Sequence, residues 1–138
     1  MHGSNFASDP TPRKLIEDVF GYPFEKHKYI TQDGYINSVF RIPGPRGSKS
    51  TIGNQNKKTG KKVVIYQHGF LDCFAGIIAN GEASLGLRLV NEGYELWMNN
   101  SRGNRYSQEH QQIQIESCSN TEYDRFYDFS FQEMATYD

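Results

Sequence analysis

Cysteine is nearly absent from this sequence. Cys73 and Cys118 are the only two, too few for a disulfide-dense scaffold or a four-ligand zinc site. They read as two unpaired thiols, with a single bridge as the alternative. Long apolar runs are also missing, and none approaches the roughly 20 residues of a membrane-spanning helix. The opening Met1-His2-Gly3-Ser4-Asn5 has no hydrophobic signal region, so a secretory signal is either absent or already removed. Neither sign of charge is in excess. The 15 Lys and Arg balance 16 Asp and Glu, for a formal net charge of −1. That balance argues against a nucleic-acid surface and against attraction to anionic lipid. Asp33, Asp72, Asp124, Asp128 and Asp138 show no metal-ligand spacing, so neither a metal nor a cofactor is expected.

What remains is globular in character. Hydrophobic residues make up 36% and aromatics 14% of 138 residues, enough for one ordinary domain with a core. Residues 1–10 read as an N-terminal tail. Thr11-Pro12 then opens a helix, with Thr11 as cap and Pro12 in the first helical position. Leu15, Ile16, Val19 and Phe20 give it one apolar face, and Gly21 and Pro23 stop it. Lys28–Thr31 and Tyr35–Ile42 read as the two strands of a hairpin around Gln32-Asp33-Gly34, because Asp-Gly tolerates the positive φ of a tight turn. Residues 43–62 are polar, rich in Gly, Ser and Lys, and read as a flexible surface loop. Its Lys57, Lys58, Lys61 and Lys62 are solvated charges on that reading, or a basic binding patch on the sharper one.

The second half alternates strand and helix. Val63-Val64-Ile65-Tyr66 reads as a buried β-branched strand. A helix over Ser84–Glu92 follows, with Leu85, Leu89 and Val90 as its buried stripe and Gly93 just past its end. Tyr94–Met98 is the next strand. Strand, helix and strand with short joints imply a parallel pair with a right-handed crossover. Ser130-Phe131-Gln132-Glu133 is a capping box, so a last helix begins at Phe131.

The chemistry concentrates where the first strand of that unit ends. His68-Gly69-Phe70 falls at the carboxyl end of a central strand, the side on which open α/β sheets bind ligands. Gly69 lets the backbone turn sharply, and the Phe70 amide is then free to meet a developing oxyanion. Such a donor contributes about 3 kcal/mol to a transition state. By itself the dipeptide also fits a plain strand end. Asn99-Asn100-Ser101-Arg102-Gly103-Asn104 tempts a nucleophile assignment at Ser101. Asn99 stands where a G-x-S-x-G elbow needs glycine, however, and no amphipathic helix follows. The bland reading is a polar loop in which Arg102 and the amides fix neighbouring turns. Asn99-Asn100-Ser101 is a glycosylation sequon too, but its place at a buried strand end argues against occupancy. His110 has no identifiable carboxylate or nucleophile to work with.

Seven blocks together resemble a known family. They are Gly21-Tyr22-Pro23, Thr31-Gln32-Asp33-Gly34-Tyr35-Ile36, Arg41-Ile42-Pro43, Gln67-His68-Gly69, Gly93-Tyr94-Glu95-Leu96-Trp97, Asn100-Ser101-Arg102-Gly103-Asn104 and Phe129-Ser130-Phe131-Gln132-Glu133-Met134-Ala135. In this order they resemble the N-terminal part of the acid lipases, the gastric and lysosomal lipases with their steryl-ester hydrolase relatives. The likeness covers about residues 14 to 138. It implies an α/β fold in which 11–138 form a partial α/β-hydrolase domain: the N-terminal half of the sheet, a β-hairpin followed by a parallel βαβ unit, incomplete on its own. It implies an oxyanion donor at the Phe70 N–H, supported by His68 and Gly69 and by the loop Asn100, Ser101, Arg102 and Gly103. Phe70 departs from the family's usual leucine, Asp72-Cys73 from small neutral residues, and Asn99 from a common glycine. No position matches the family's serine nucleophile, acid or catalytic histidine.

Three functions compete on this reading. The first is the N-terminal portion of a triacylglycerol or steryl ester hydrolase, whose partner is the rest of the enzyme, continuous with it or on a second chain. The second is a non-catalytic interaction protein docked by its open sheet edge in a larger assembly. The third is a complete small hydrolase using Ser101 and His110, which the missing elbow disfavours. The resemblance suggests a secreted or lysosomal compartment, without excluding an intracellular one.

Overall fold

Residues 11–48 and 60–138 are described by a computed structural model. The 1–10 tail lies outside the described residues, as do 49–59 with Lys57 and Lys58 of the basic run. The hairpin organises the sheet. Strand β1 (Glu25–Ile30) pairs antiparallel with β2 (Tyr35–Ile42). The reversal is held by Thr31, whose N–H donates to Tyr35 O at 2.8 Å and whose Oγ1 accepts the Tyr35 N–H at 2.9 Å. Gly34 sits in it at φ +97°. Strand β1 begins earlier than its sequence suggests, because Glu25 pairs across from Arg41.

Strand β3 (Val63–Tyr66) and β4 (Glu95–Asn100) run parallel, with helix α2 (Leu85–Asn91) between them in sequence. Strand β4 also lies antiparallel to β2, giving the order β1-β2-β4-β3. A two-residue strand β5 (Glu109–His110) continues the line of β4 along the start of β2. Strand β3 is therefore an edge of the described sheet, and not the central, buried strand expected. Val63 is 54% and Ile65 75% exposed, while Val64 and Tyr66 pack on the core. A run of four apolar residues hides this alternation, since β-branched residues suit a strand whether one face or both are covered.

One face of the sheet carries the main core. Phe40, Ile42, Leu96 and Met98 meet Ile16, Tyr22, Phe74, Ile78, Leu87 and Val90. Helix α1 starts as an α-turn at Thr11–Arg13 and widens to a π-helix over Lys14–Val19. The wider turn brings residues five apart together, as in the Phe20 N–H to Leu15 O bond. Val19 consequently turns outward, 68% exposed, instead of joining the apolar face.

Helix α2 is capped by the Ser84 hydroxyl, which accepts the Leu87 N–H. It closes with a Schellman motif at Gly93, whose N–H bonds Val90 O while that of Tyr94 bonds Leu89 O. Its buried stripe is Gly86, Leu87 and Val90, and Leu85 is 65% exposed. The rotation follows from Gly86, where a Cβ would lie 2.8 Å from Ile77 O and 3.0 Å from Leu96 Cδ2. The helix sits so close that only glycine faces the sheet there. Gly86→Ala is expected to lower stability by about 1–3 kcal/mol through overpacking, against the roughly 1 kcal/mol that alanine adds to helix propensity. Urea denaturation checks the sign, and a neutral or stabilising result would show that α2 slides freely on the sheet.

The remaining elements form a second cluster. Helix α3 (Asn120–Phe126) is started by a capping box between Ser119 and Glu122, and helix α4 (Phe131–Tyr137) by one between Ser130 and Glu133. Phe126 and Ile113 pack on Tyr35, whose hydroxyl donates to Phe126 O. Cys73 and Cys118 are free thiols. Among the described residues no helix is long and apolar enough to cross a membrane, and no group of side chains is placed to hold a metal ion.

On the sheet's other face Arg41 is gripped by two buried carboxylates, Glu25 and Glu95, each at 2.8 Å. Of the basic loop's described ends, Lys61 bonds Pro43 O at 2.7 Å and Arg46 bonds Phe20 O at 2.7 Å, so these cations fasten the chain to itself.

Candidate active site

Two strand ends build the site. Gln67-His68-Gly69-Phe70 leaves β3, and Ser101 leaves the neighbouring β4. Together with Phe131, Met134, Ala135 and Asp138 from the region of α4 they line a pocket of about 360 Å³. Pockets of that order hold a small ligand or one end of a larger one.

His68 is almost buried, 9% exposed, and both ring nitrogens are engaged by backbone groups. Nε2 lies 3.1 Å from Ser101 N and Nδ1 lies 2.7 Å from Gly69 O. An amide nitrogen only donates and a carbonyl only accepts. The ring is therefore the neutral tautomer with its proton on Nδ1. Gly69 O also accepts the Asp72 N–H at 3.2 Å, closing a β-turn over Gly69–Asp72. The residue at positive φ in that turn is Leu71, at +59°. Gly69 itself is not left-handed, and a Cβ there would meet nothing within 4 Å. The glycine expected to permit the turn is not what permits it. A leucine carries the left-handed position, at a cost of about 1–2 kcal/mol, and such strain is retained where the surroundings fix it.

The Phe70 N–H makes no hydrogen bond to any described residue. Its peptide is trans, so this N–H points opposite to the Gly69 carbonyl that His68 and Asp72 hold. Phe70 is 66% exposed and stacks edge-on against Phe131, ring centroids 4.7 Å apart. Phe131 is 63% exposed, so these two aromatic rings give the pocket an apolar rim.

The Ser101 loop is fixed from several sides. Ser101 is 3% exposed, and its hydroxyl accepts from Gln67 Nε2 at 2.8 Å. Gln67 Oε1 in turn accepts from Asn99 Nδ2 at 2.7 Å. Among the described residues no imidazole nitrogen or carboxylate contacts Ser101 Oγ, so none of them is placed to take its proton. Asn99 is 8% exposed and its amide is spent on Gln67. Asn100 is fully buried; its amide donates to Ser38 O and its Oδ1 accepts the Phe74 N–H. Gly103 has φ +72°, and a Cβ there would lie 2.8 Å from Phe129 Cζ.

Arg102 is the loop's anchor. Its side chain has no exposed surface. Nε donates to Asp138 Oδ1 at 2.8 Å, its backbone N–H to Asp138 Oδ2 at 2.9 Å, and the guanidinium to both Asp33 oxygens at 2.5 and 3.0 Å. The guanidinium also lies over the Tyr35 ring at 4.1 Å. Burial opposes ionisation of Asp33, but hydrogen bonds from Arg102 and Thr31 outweigh it and hold that carboxyl below its ordinary range. Asp33 thus serves this ion pair as well as the hairpin turn that explains it in the sequence.

His110 stands apart. Its Nδ1 accepts the Gln112 N–H at 3.1 Å and Nε2 donates to Asp33 O at 3.2 Å. It braces the hairpin and has no nitrogen free for proton transfer. Sequence reasoning missed Gln67, Asn104 and the α4 side of the pocket. Asn104 Nδ2 donates to Asp72 O at 2.8 Å, tying the two loops together. Gln67 was findable, since it continues the outward alternation of Val63 and Ile65.

Known proteins give this arrangement a class. Residues 15–81 match the partial alpha/beta-hydrolase lipase region. The chain is 42% identical over 120 residues to gastric triacylglycerol lipase of Bos taurus, covering 86% of the chain and 27% of that protein. It is 39% identical over 143 residues to lipase member M of Homo sapiens, with 100% and 31% covered. Against lysosomal acid lipase/cholesteryl ester hydrolase of Homo sapiens it is 36% identical over 140 residues, with 99% and 32% covered. The fold class is thus that of the α/β-hydrolase lipases. Within it the chain belongs to the acid lipase family, as an N-terminal portion spanning less than a third of the length of these relatives.

Proposed function

We propose that this chain supplies the oxyanion loop of a lipid-ester hydrolase whose serine, acid and catalytic histidine lie in the part of the enzyme that these 138 residues do not include. The observation that carries the reading is the Phe70 N–H, which bonds no described residue and is held on a pinned peptide beside a pocket. A serine oxygen brought to that pocket attacks the ester carbonyl carbon, and the carbonyl oxygen takes up negative charge. The Phe70 N–H donates to it. Collapse expels the alcohol and leaves an acyl-serine, which water then cleaves to the free acid. The apolar rim of Phe70 and Phe131 suits the acyl chain of a triacylglycerol or steryl ester, and the gastric and lysosomal relatives suit a secreted or lysosomal setting. The exposed β3 edge, with Val63 and Ile65, suits the remainder of the sheet.

That same edge favours a second reading, a non-catalytic chain docked on a partner by strand addition. A fluorophosphonate probe separates the two. The 138-residue chain is expected to stay unlabelled, and the longer protein that carries it to label at one serine outside residues 1–138. Labelling at Ser101 would overturn the assignment of the nucleophile, and a native protein with no reactive serine would leave the docking reading.

A further inference from the structure

We infer that His68 is a positioning residue for this reaction: its imidazole is a strut that sets the direction of the Phe70 N–H. The inference rests on the oxyanion reading above. The ring spans two loops. On the β4 side it takes the Ser101 N–H at Nε2, 3.1 Å away, with Asn104 Nδ2 a weaker neighbour at 3.5 Å. On its own side it gives the Nδ1 proton to Gly69 O at 2.7 Å. That carbonyl and the Phe70 N–H belong to one rigid peptide plane. Fixing the oxygen fixes the hydrogen, and the Asp72 N–H on the same oxygen reinforces it.

The Ser101 end is a firm bearing, because Arg102 next to it is locked by Asp138 and Asp33. A preset donor needs no reorganisation when charge appears, which is the condition for strong oxyanion stabilisation. Without the strut, only one hydrogen bond would hold the peptide against a turn strained at Leu71. The imidazole thus has a role outside proton transfer, and its engaged nitrogens forbid that transfer.

Three substitutions in the hydrolase carrying this chain test it, each variant being checked for an unchanged melting profile. His68→Asn keeps an N–H near the place of Nδ1 and is expected to retain kcat within about tenfold. His68→Phe keeps a ring of similar size without a donor and is expected to lose about 100-fold in kcat, close to the loss of an oxyanion donor. KM for a short-chain nitrophenyl ester should stay within about twofold in both. Equal losses in the two variants, or none in His68→Phe, would overturn the strut. Phe70→Pro identifies which idea has failed: if it is as active as wild type, the oxyanion reading falls whatever His68 does. If it is impaired while His68→Phe is not, only the strut falls. Nitrogen-15 histidine spectra of the chain give a readout free of catalysis, expected to show the proton on Nδ1 and a bare Nε2. A proton on Nε2 would defeat the strut even if the protein hydrolyses no ester.

Discussion

Arg102→Met is expected to destabilise the fold by about 3–5 kcal/mol, the usual cost of removing one partner from a buried ion pair. Methionine replaces much of the volume, so the loss is electrostatic rather than a cavity effect. Asp138 is left with a carboxylate side chain only 4% exposed and without its cation. Asp33, at 28%, recovers part of its solvation, so Asp33→Asn alone should cost nearer 1 kcal/mol. The cation–π contact with Tyr35 goes too. Urea unfolding followed by tyrosine and tryptophan fluorescence measures both variants, and a change under about 1 kcal/mol for Arg102→Met would refute the anchor. The pH dependence has a definite sign. A carboxyl whose folded pKa is depressed, as that of Asp33 is, adds stability above its unfolded pKa of about 3.9. That stability is lost as pH falls through the lower folded value. Acid unfolding below about pH 4 should therefore be less steep in Arg102→Met than in wild type.

Short-range signals carried most of the secondary structure. Asp33-Gly34, the Ser130/Glu133 box and Gly93 each act through groups within five residues, so a local pattern suffices to place them. Ser119/Glu122 is an equal signal and was overlooked beside the second box. What the sequence does not display is anything set by packing at a distance. Val19 turns outward because α1 winds as a π-helix, and Leu85 because Gly86 must face Ile77 O. Strand β5 pairs through two residues only, with partners over 70 positions away. The site divides in the same way. The Phe70 loop and the Asn100–Gly103 block stand out as residues, but the bonds that make them one unit do not. Arg102 reaches 69 residues back to Asp33 and 36 forward to Asp138, and the left-handed leucine beside an unstrained Gly69 inverts what the His-Gly pair suggests.

Phe70→Pro is expected to lower kcat of the hydrolase by about 10²–10³-fold, the cost of deleting one oxyanion donor. Few donors can be removed so selectively. Phe70 is the second residue of the Gly69–Asp72 turn, and with Leu71 at positive φ the turn has the type II pattern, which favours proline at that position. Proline removes the N–H and keeps the turn. Its effect on stability should be small: a compatible proline adds about 0.4–1 kcal/mol, and losing the Phe70–Phe131 edge contact removes about as much. Phe70→Ala makes the opposite cut. It retains the N–H and strips the ring from the pocket rim, so KM for long-chain esters should rise while kcat for a short-chain ester changes by less than about threefold. Steady-state kinetics on esters of two chain lengths, with thermal melts of each variant, resolves the two effects. Equal kcat in Phe70→Pro and Phe70→Ala would mean that the side chain matters here and the amide does not, and the oxyanion donor would have to be sought elsewhere.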